Sequence, residues 1–480
     1  MTYAMRNKAL FLLLAIQFGW LSGCALENPP AAPELASHAI PAPDDHRQWF
    51  NGAVTGDPAA GWLASFNDAQ LNRLVREAMT HNGDLALAAV RVQQAEALVA
   101  EQSSGLLPSA GVKGRVGESE SQYLSVGVSW ELDLWGRIRA QARAARSEHA
   151  ASEADYVWAQ RVVAATTAKA WFALIKCTQF ESKLQQIVDA QAQIVKIEDH
   201  RVAIGAAPQT ELQEARNKLM ARQDALIQAT LAKNRASQAM ELLLGRYPGG
   251  EIQAVQDMPA LPAAPPAGLP ASLIERRPDM VAASQRVAAA FDQRQSAQAA
   301  RLPDISINAA ITGIRSNVLA LMDSSSPVKG VSATLLTPIF TGGRLKAQAD
   351  YYTLAQKAAI VTYGNCALQA LSEVEAGLQA ETRYAARVTQ LQARVDESQT
   401  LLGTQEARAT IGSIDRRSVL EERQALLLAQ KDLVDVRGDQ LNQRVDLLLA
   451  LGGDWQRSGA AGTNAGDFAL ADAPASDAAH

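Results

Sequence analysis

The sequence lacks the marks of most enzymes. It has no glycine-rich phosphate loop, no metal-ligand spacing and no nucleophile elbow. Its six histidines, His38, His46, His81, His149, His200 and His480, are scattered, which excludes a metal site evident from sequence. Acidic residues outnumber basic ones by 50 to 45 and no basic stripe is present, so nucleic acid is not a partner. Beyond residue 25 there is no run of about 18 apolar residues, which excludes a transmembrane helix despite a hydrophobic content of 48%. Cysteine is scarce: Cys24, Cys177 and Cys366. The last two fall at unrelated heights of helical segments, which argues against a disulfide and reads as two small buried thiols. The expectation is a chain without catalysis, cofactor or metal.

Proline and glycine are also missing from Arg137 to Ile204, a stretch rich in Ala, Gln, Leu and Val. Apolar residues recur there at helical spacing, among them Val157, Ala164, Ala168, Trp171 and Leu174, which predicts one uninterrupted helix of roughly 100 Å. A second such run starts at Arg344. Gly136 and Gly343, Gly205 and Gly412, and Gly245 and Gly452 all keep the same offset, the signature of an internal duplication. The expected first repeat is 62–250 and the second 271–455, joined by a Pro-rich linker at 251–270.

Residues 1–23 have a positive end (Arg6, Lys8) and an apolar core too short to span a membrane, as in a secretory signal. Leu21-Ser22-Gly23-Cys24 resembles the bacterial lipobox, which implies acylation of Cys24 and stable anchoring to outer-membrane lipid. Ala25, in place of Asp, favours sorting to the outer membrane. Residues 24–61 read as an extended tether and 456–480 as a disordered tail. From Asn67 a helical pattern runs to Asn82-Gly83, with Asp84 able to cap the next helix.

Between helices the period changes to two. From Tyr123 to Leu134 every even position is apolar and every odd one small or polar, including Glu131 and Asp133, which would then face a lumen and weakly favour cationic solutes. With Ala110–Gly117 this makes a hairpin at about 109–135 turning near Glu118–Gln122. A second hairpin spans about 303–341, with a returning strand from about Gly330 to Phe340 and a longer connection at Gly313–Lys329. Strands of this length suit a transmembrane barrel, yet four cannot close one, so several chains must pool them. The alternative is a soluble sheet that caps a coiled coil.

The chain resembles the TolC-like outer-membrane efflux factors, in their OprM/NodT-type lipoprotein branch. The resemblance rests on Leu132-Asp133-Leu134-Trp135-Gly136-Arg137, Leu273-Ile274-Glu275-Arg276-Arg277-Pro278-Asp279, Pro338-Ile339-Phe340-Thr341-Gly342-Gly343-Arg344 and Ala450-Leu451-Gly452-Gly453-Asp454-Trp455. It implies a mostly α-helical fold with a transmembrane β-barrel. A homotrimer would pool four strands per chain and continue as a coiled-coil tunnel through the periplasm. It implies passive export of drugs or other toxic small molecules, in company with a periplasmic membrane-fusion adaptor and an inner-membrane pump of RND type.

The same resemblance assigns adaptor contact to two helix-turn-helix ends, Arg201, Gly205, Leu212 and Arg216 in the first repeat and Arg408, Gly412, Val419 and Arg423 in the second. It also suggests a periplasmic gate at Asp415, Arg416 and Arg417, where many family members carry their acidic residue one position earlier, at Ile414. Glu275, Arg276, Arg277, Pro278 and Asp279 read as a structural helix start, not a catalytic cluster. Two rival functions share parts of this pattern, a type I protein-secretion duct and a periplasmic coiled-coil adaptor. The lipobox and the Glu275–Asp279 stretch favour small-molecule efflux over the first, and the duplicated strands argue against the second.

Overall fold

The computed structural model describes residues 28–30, 35, 49–50, 61–115, 122–254, 257–268, 270, 273, 276–315 and 328–455. The signal segment, Cys24, most of the tether, His38, His46, the first hairpin's turn at 116–121, residues 316–327 of the longer connection, Glu275 and the tail lie outside the described residues.

Seven α-helices and four strands follow one another among these residues. α1 is Ala69–His81 and α2 Gly83–Ser104. β1 (Ser109–Arg115) and β2 (Gln122–Leu132) precede α3 (Arg137–Ala203) and α4 (Gln209–Leu243). The order then repeats: α5 (Pro278–Ala299), β3 (Asp304–Arg315), β4 (Val328–Leu336), α6 (Arg344–Thr410) and α7 (Arg416–Ala450). The duplication extends to element length. α3 and α6 have 67 residues each, and α4 and α7 have 35 each. Gly136, Gly205 and Gly245 take φ of 74°, 71° and 68°, and their counterparts Gly343, Gly412 and Gly452 take 82°, 72° and 68°. A left-handed backbone that only glycine adopts without strain thus recurs at each paired position.

The repeats are not the compact units. One unit holds 91–154 and 279–367, and the other 43–90, 155–278 and 368–480, so each draws on both repeats. The first contains one antiparallel sheet in the order β1-β2-β3-β4. Val126 pairs with Val112 on one side and Ile311 on the other, and Val128 pairs with Ala309. The alternation read from the sequence therefore becomes a continuous apolar face on which Val112, Leu124, Val126, Val128, Ile311 and Val331 are exposed. The opposite face is polar. Ser125 and Thr312 hydroxyls meet at 2.9 Å, and the Ser129 hydroxyl donates to Asn308 at 2.8 Å. β1 and β4 are each paired along one side only.

Strand ends fall earlier than the alternation suggests. β2 stops at Leu132 because the Asp133 carboxylate is taken by the amides of Ile138 (3.1 Å) and Arg139 (2.9 Å), which turns the chain into α3. β4 stops at Leu336, two residues before Pro338, which has no N–H to give a ladder. The α2 cap also differs from expectation: Asn82, not Asp84, accepts from the amides of Asp84 (3.0 Å) and Leu85 (3.2 Å). The helix already begins at Gly83, so Asp84 lies within its first turn.

The second unit is helical. Trp171 and Phe172 of α3 are fully buried with Phe66, Leu71, Leu85, Met240 and Val445. Trp171 Nε1 donates to Asp68 Oδ2 at 2.8 Å, while Asp68 Oδ1 caps α1 by accepting from Gln70 and Leu71, both at 2.9 Å. α3 and α7 run antiparallel along a ladder of polar rungs at roughly heptad spacing. Lys169 pairs with Asp446 at 2.7 Å and Lys176 with Asp435 at 3.1 Å and Asp439 at 3.4 Å. Lys183 donates to Gln430 at 2.7 Å, Gln424 to Gln191 at 3.1 Å, and Arg417 to Glu198 at 2.9 Å. Gly438 makes room for this register, since a Cβ there would meet the Lys176 side chain at 3.0 Å. Cys177 and Cys366 form no disulfide, and each is half-buried.

Candidate functional site

Two places concentrate residues singled out by the sequence. The first is the pair of helix turns in the helical unit. Both turns close alike: the Ala206 amide donates to the Arg201 carbonyl at 2.8 Å, and the Ser413 amide to the Arg408 carbonyl at 3.0 Å, each across a left-handed glycine. They differ in how the next helix begins. Asp415 caps α7, its carboxylate accepting from the amide and the hydroxyl of Ser418, both at 2.8 Å. Those bonds, the amide's first, hold the Asp415 carboxyl below its ordinary 3.8. Pro208 stands at the matching place before α4 and offers no side-chain cap.

The charges are also divided unequally. Glu198 is buried, with 1% of its side chain exposed, and accepts from Arg201 at 2.9 Å and from Arg417 of the other repeat at 2.9 Å. Glu211 lies 3.2 Å from Arg201 and 3.5 Å from Arg417, and Glu421 is 3.0 Å from Arg417. The bond to Glu421, aided by Glu198 and Glu211, raises the Arg417 pKa further. Arg216 pairs with Asp199 at 3.1 Å. By contrast Arg408, Arg416 and Arg423 are exposed and pair with no carboxylate among the described residues. Leu212 is buried and Val419 half-buried, so both shape the turns from inside. The structure therefore joins Arg201 to Arg417 through Glu198 and Glu211, which the sequence reading missed. The available signal was the loss of charge in the copy, where Gln405 and Ser418 occupy the corresponding positions.

The second place is the end of the sheet. Glu131 pairs with Arg137 at 2.6 Å, and Asp133 with Arg139 at 3.1 Å. Neither acid is thus a free negative charge on a lumen-facing strand, and Asp133 is not in a strand at all. Trp135 Nε1 donates to the Pro303 carbonyl. In the second repeat Pro338 and Phe340 replace the two acids, Ile339 and Phe340 are 94% and 89% exposed, and Arg344 has no described carboxylate partner.

The described part of the Glu275–Asp279 stretch is engaged in contacts within the chain. Pro278 is the first residue of α5, and the Asp279 carboxylate accepts from the Met280 amide at 3.0 Å. Arg277 is buried, bonded to Glu373 at 2.8 Å and to the Ala450 carbonyl at 3.1 Å, and lies over the Trp158 ring at 4.9 Å. Arg276 donates to the carbonyls of Leu451 and Ala267, both at 2.9 Å. The two arginines fasten the end of α7.

Among the described residues no helix is long and apolar enough to cross a membrane, and no group of acidic, histidine or cysteine side chains could hold a metal. Comparison with known proteins agrees with the duplicated plan. The profile of the family described as "Outer membrane efflux protein" matches residues 74–246 and 269–453. The chain is 29% identical to the "Probable efflux pump outer membrane protein SepC" of Pseudomonas putida, over 93% of this chain and 97% of that one. It is 26% identical to the "Pyoverdine export outer membrane protein OpmQ" of Pseudomonas aeruginosa, over 91% and 96% respectively. In fold it is similar to the Campylobacter jejuni CmeC outer membrane channel, with a TM-score of 0.80 at 23% identity over 89% of this chain and 95% of that chain. A profile that matches both repeats in order, together with this fold, makes the chain a member of the outer membrane efflux protein family.

Proposed function

We propose that the protein is the outer-membrane channel of a tripartite efflux system and works as a homotrimer. The observation that carries this reading is the four-stranded sheet, with one exposed apolar face, one polar face and two unpaired edges. An open edge in a bilayer leaves amides unsatisfied, so copies must close the barrel together, apolar face to lipid and polar face to water. The long helices continue the conduit into the periplasm. Cys24 carries the lipid anchor, and the two helix turns receive a periplasmic adaptor through their exposed arginines. Drugs or other toxic small molecules pass without energy from this chain; the docked inner-membrane pump, of RND type, supplies it.

The resting channel is closed at these turns. Arg417 is the central gate residue, because it ties the second repeat's turn to Glu198 and Glu211 of the first. Asp415 holds the helix start that aims it, and Arg416 presents its charge to a neighbouring copy.

The test is single-channel conductance of the purified protein in a planar bilayer, with its mass in detergent. A trimer with small, mostly closed currents supports the channel. A water-soluble species without conductance overturns it. Arg417→Ala should raise basal conductance by about tenfold, the effect of losing roughly 1.4 kcal/mol of closed-state preference, and Asp415→Ala by less. Unchanged current in Arg417→Ala at unchanged mass would remove the gate and leave the channel standing.

A further inference from the structure

In the helical unit the long helices pack in the order α4, α3, α7, α6. Ala225, Leu226 and Ala229 of α4 lie on Leu184 and Ile187 of α3, and Leu426 and Leu433 of α7 lie on Val395 and Leu402 of α6. The α3–α7 seam between these pairs joins one repeat to the other through the ladder of polar rungs. Duplication carries the two halves of that seam to the outer helices, because the common glycine offset turns α3 into α6 and α7 into α4. Leu427 of α7 and Ile194 of α3, each 4% exposed at the inner seam, correspond to Met220 of α4 and Leu401 of α6, which are 58% and 43% exposed. Apolar side chains thus stand open to solvent where the inner seam buries them.

The rungs carry over in the same register with altered chemistry. Lys183 and Gln430 become Gln390 and Gln223, Gln191 and Gln424 become Ser398 and Asn217, and Glu198 and Arg417 become Gln405 and Thr210. At each of these positions an amide would face an amide or a hydroxyl, groups that both donate and accept. None of the six makes a side-chain bond to another described residue. The carboxylates of the inner seam have no counterpart: Asp435 and Asp439 become Gln228 and Ala232 opposite Arg383, and Lys169 and Asp446 become Ala376 and Ala239. The outer faces of α4 and α6 are complementary to each other and to neither sign of charge.

We infer that α4 of one copy docks on α6 of the next, antiparallel and in the register that α7 and α3 keep within the chain. A second copy is the occupant because the surface that fits the α4 face is present on the same chain. The contact is heterologous, so successive copies close a ring instead of pairing face to face. Ion pairs hold the seam inside the chain, whereas apolar contact and neutral hydrogen bonds hold the seam between copies. The inference rests on the homotrimer of the channel reading, and it names the helix faces, the register and the chemistry of the contact.

The experiment is cross-linking of the full-length protein in detergent with a short bismaleimide, read on denaturing gels. Gln213 and Leu401 are exposed and correspond to Leu420 and Ile194, which share one buried cluster of the inner seam. Gln213→Cys with Leu401→Cys should therefore shift the band from the mass of one chain to those of two and three. Ile227→Cys with Leu401→Cys, displaced about 21 Å along α4, should leave it unlinked. Each single variant measures the background from Cys177 and Cys366, and a single variant that links to its own copy would show a like-on-like contact and overturn the inference. The chemistry has its own test at the exposed Gln223 and Gln390. Gln223→Lys with Gln390→Lys should lower the temperature at which the oligomer dissociates, and Gln223→Lys with Gln390→Glu should restore it. Absence of coupling would overturn the register. Bilayer conductance separates the two readings: a conducting trimer that links out of register or not at all defeats this inference alone and leaves the α4 face to another protein. In-register links in a non-conducting protein defeat the channel alone.

Discussion

The two repeats have the same long helices and turns, and different ends. α3 and α6 match in length, as do α4 and α7, and the paired glycines take nearly the same dihedrals. Charge is what moved. At the sheet end the first repeat is closed by Glu131 and Asp133 and the second is open. At the turns the pattern inverts: the second repeat has its cap in Asp415, while the first has Pro208 and carries the acids Glu198 and Glu211. A duplicated helical pair thus preserves length and turn geometry, which any mismatch would break, and diverges where a side chain meets a neighbour or solvent.

The largest test of that division lies in the core. Trp171 is fully buried and its indole N–H is bonded to Asp68, whereas the corresponding Leu378 is only partly buried in a separate, smaller cluster. Trp171→Ala should cost about 3–5 kcal/mol, through lost burial, a cavity and the lost indole bond to Asp68. Leu378→Ala should cost about 2 kcal/mol at most. Thermal unfolding of both variants decides, and equal losses would mean that the repeats divide the core evenly.

Sequence reading recovered what is periodic or repeated. Glycines at a constant offset marked the ends of α3 and α6, and strict alternation marked β2, because helix turns and pleats impose fixed periods. It failed where an interaction joins distant residues or depends on a helix boundary. Glu198 and Arg417 stand 219 positions apart, so the sequence shows Arg417 only beside its neighbour Asp415, while the antiparallel register of α3 and α7 adds Glu198 as its partner. Asp84 and Asp133 differ from expectation for the second reason: a shift of one or two residues in a helix start changes a cap into a first-turn residue, or a strand residue into a cap.

A smaller effect concerns the exit from each repeat. Glu241 is buried and accepts from the amides of Gly250, Glu251 and Ile252, at 2.6, 2.6 and 3.2 Å, and its counterpart is the apolar Leu448. The first repeat must hand the chain on to the Pro-rich connection, and the carboxylate fixes that turn. Burial raises its pKa, but the three amides outweigh burial and hold it below the ordinary 4.5. Glu241→Gln should cost about 2 kcal/mol at neutral pH. Because the folded pKa is depressed, the carboxylate's contribution is full above 4.5 and is lost as pH falls through the lower folded value. The gap between variant and unmodified protein should therefore close in acid, and a gap independent of pH would assign the loss to packing.

The smallest expected effect sharpens the comparison at the turns themselves. Asp415→Ala removes the α7 cap and should cost about 1 kcal/mol. The Ser418 amide and hydroxyl depress the Asp415 pKa below 3.8, so this contribution too is present above that value and disappears as pH falls further. Pro208→Asp offers the first repeat the cap that it lacks, at an extended backbone position with φ −74° and ψ 153°, close to that of Asp415 at −82° and 159°. If the turns differ only in this residue, Pro208→Asp should stabilise by up to about 1 kcal/mol at neutral pH and by nothing in strong acid. A gain that survives acid would come from removal of proline and not from a cap. A loss at neutral pH would show that Glu198 and Glu211, already concentrated beside the first turn, repel a third carboxylate, in which case the proline is there to keep that position uncharged.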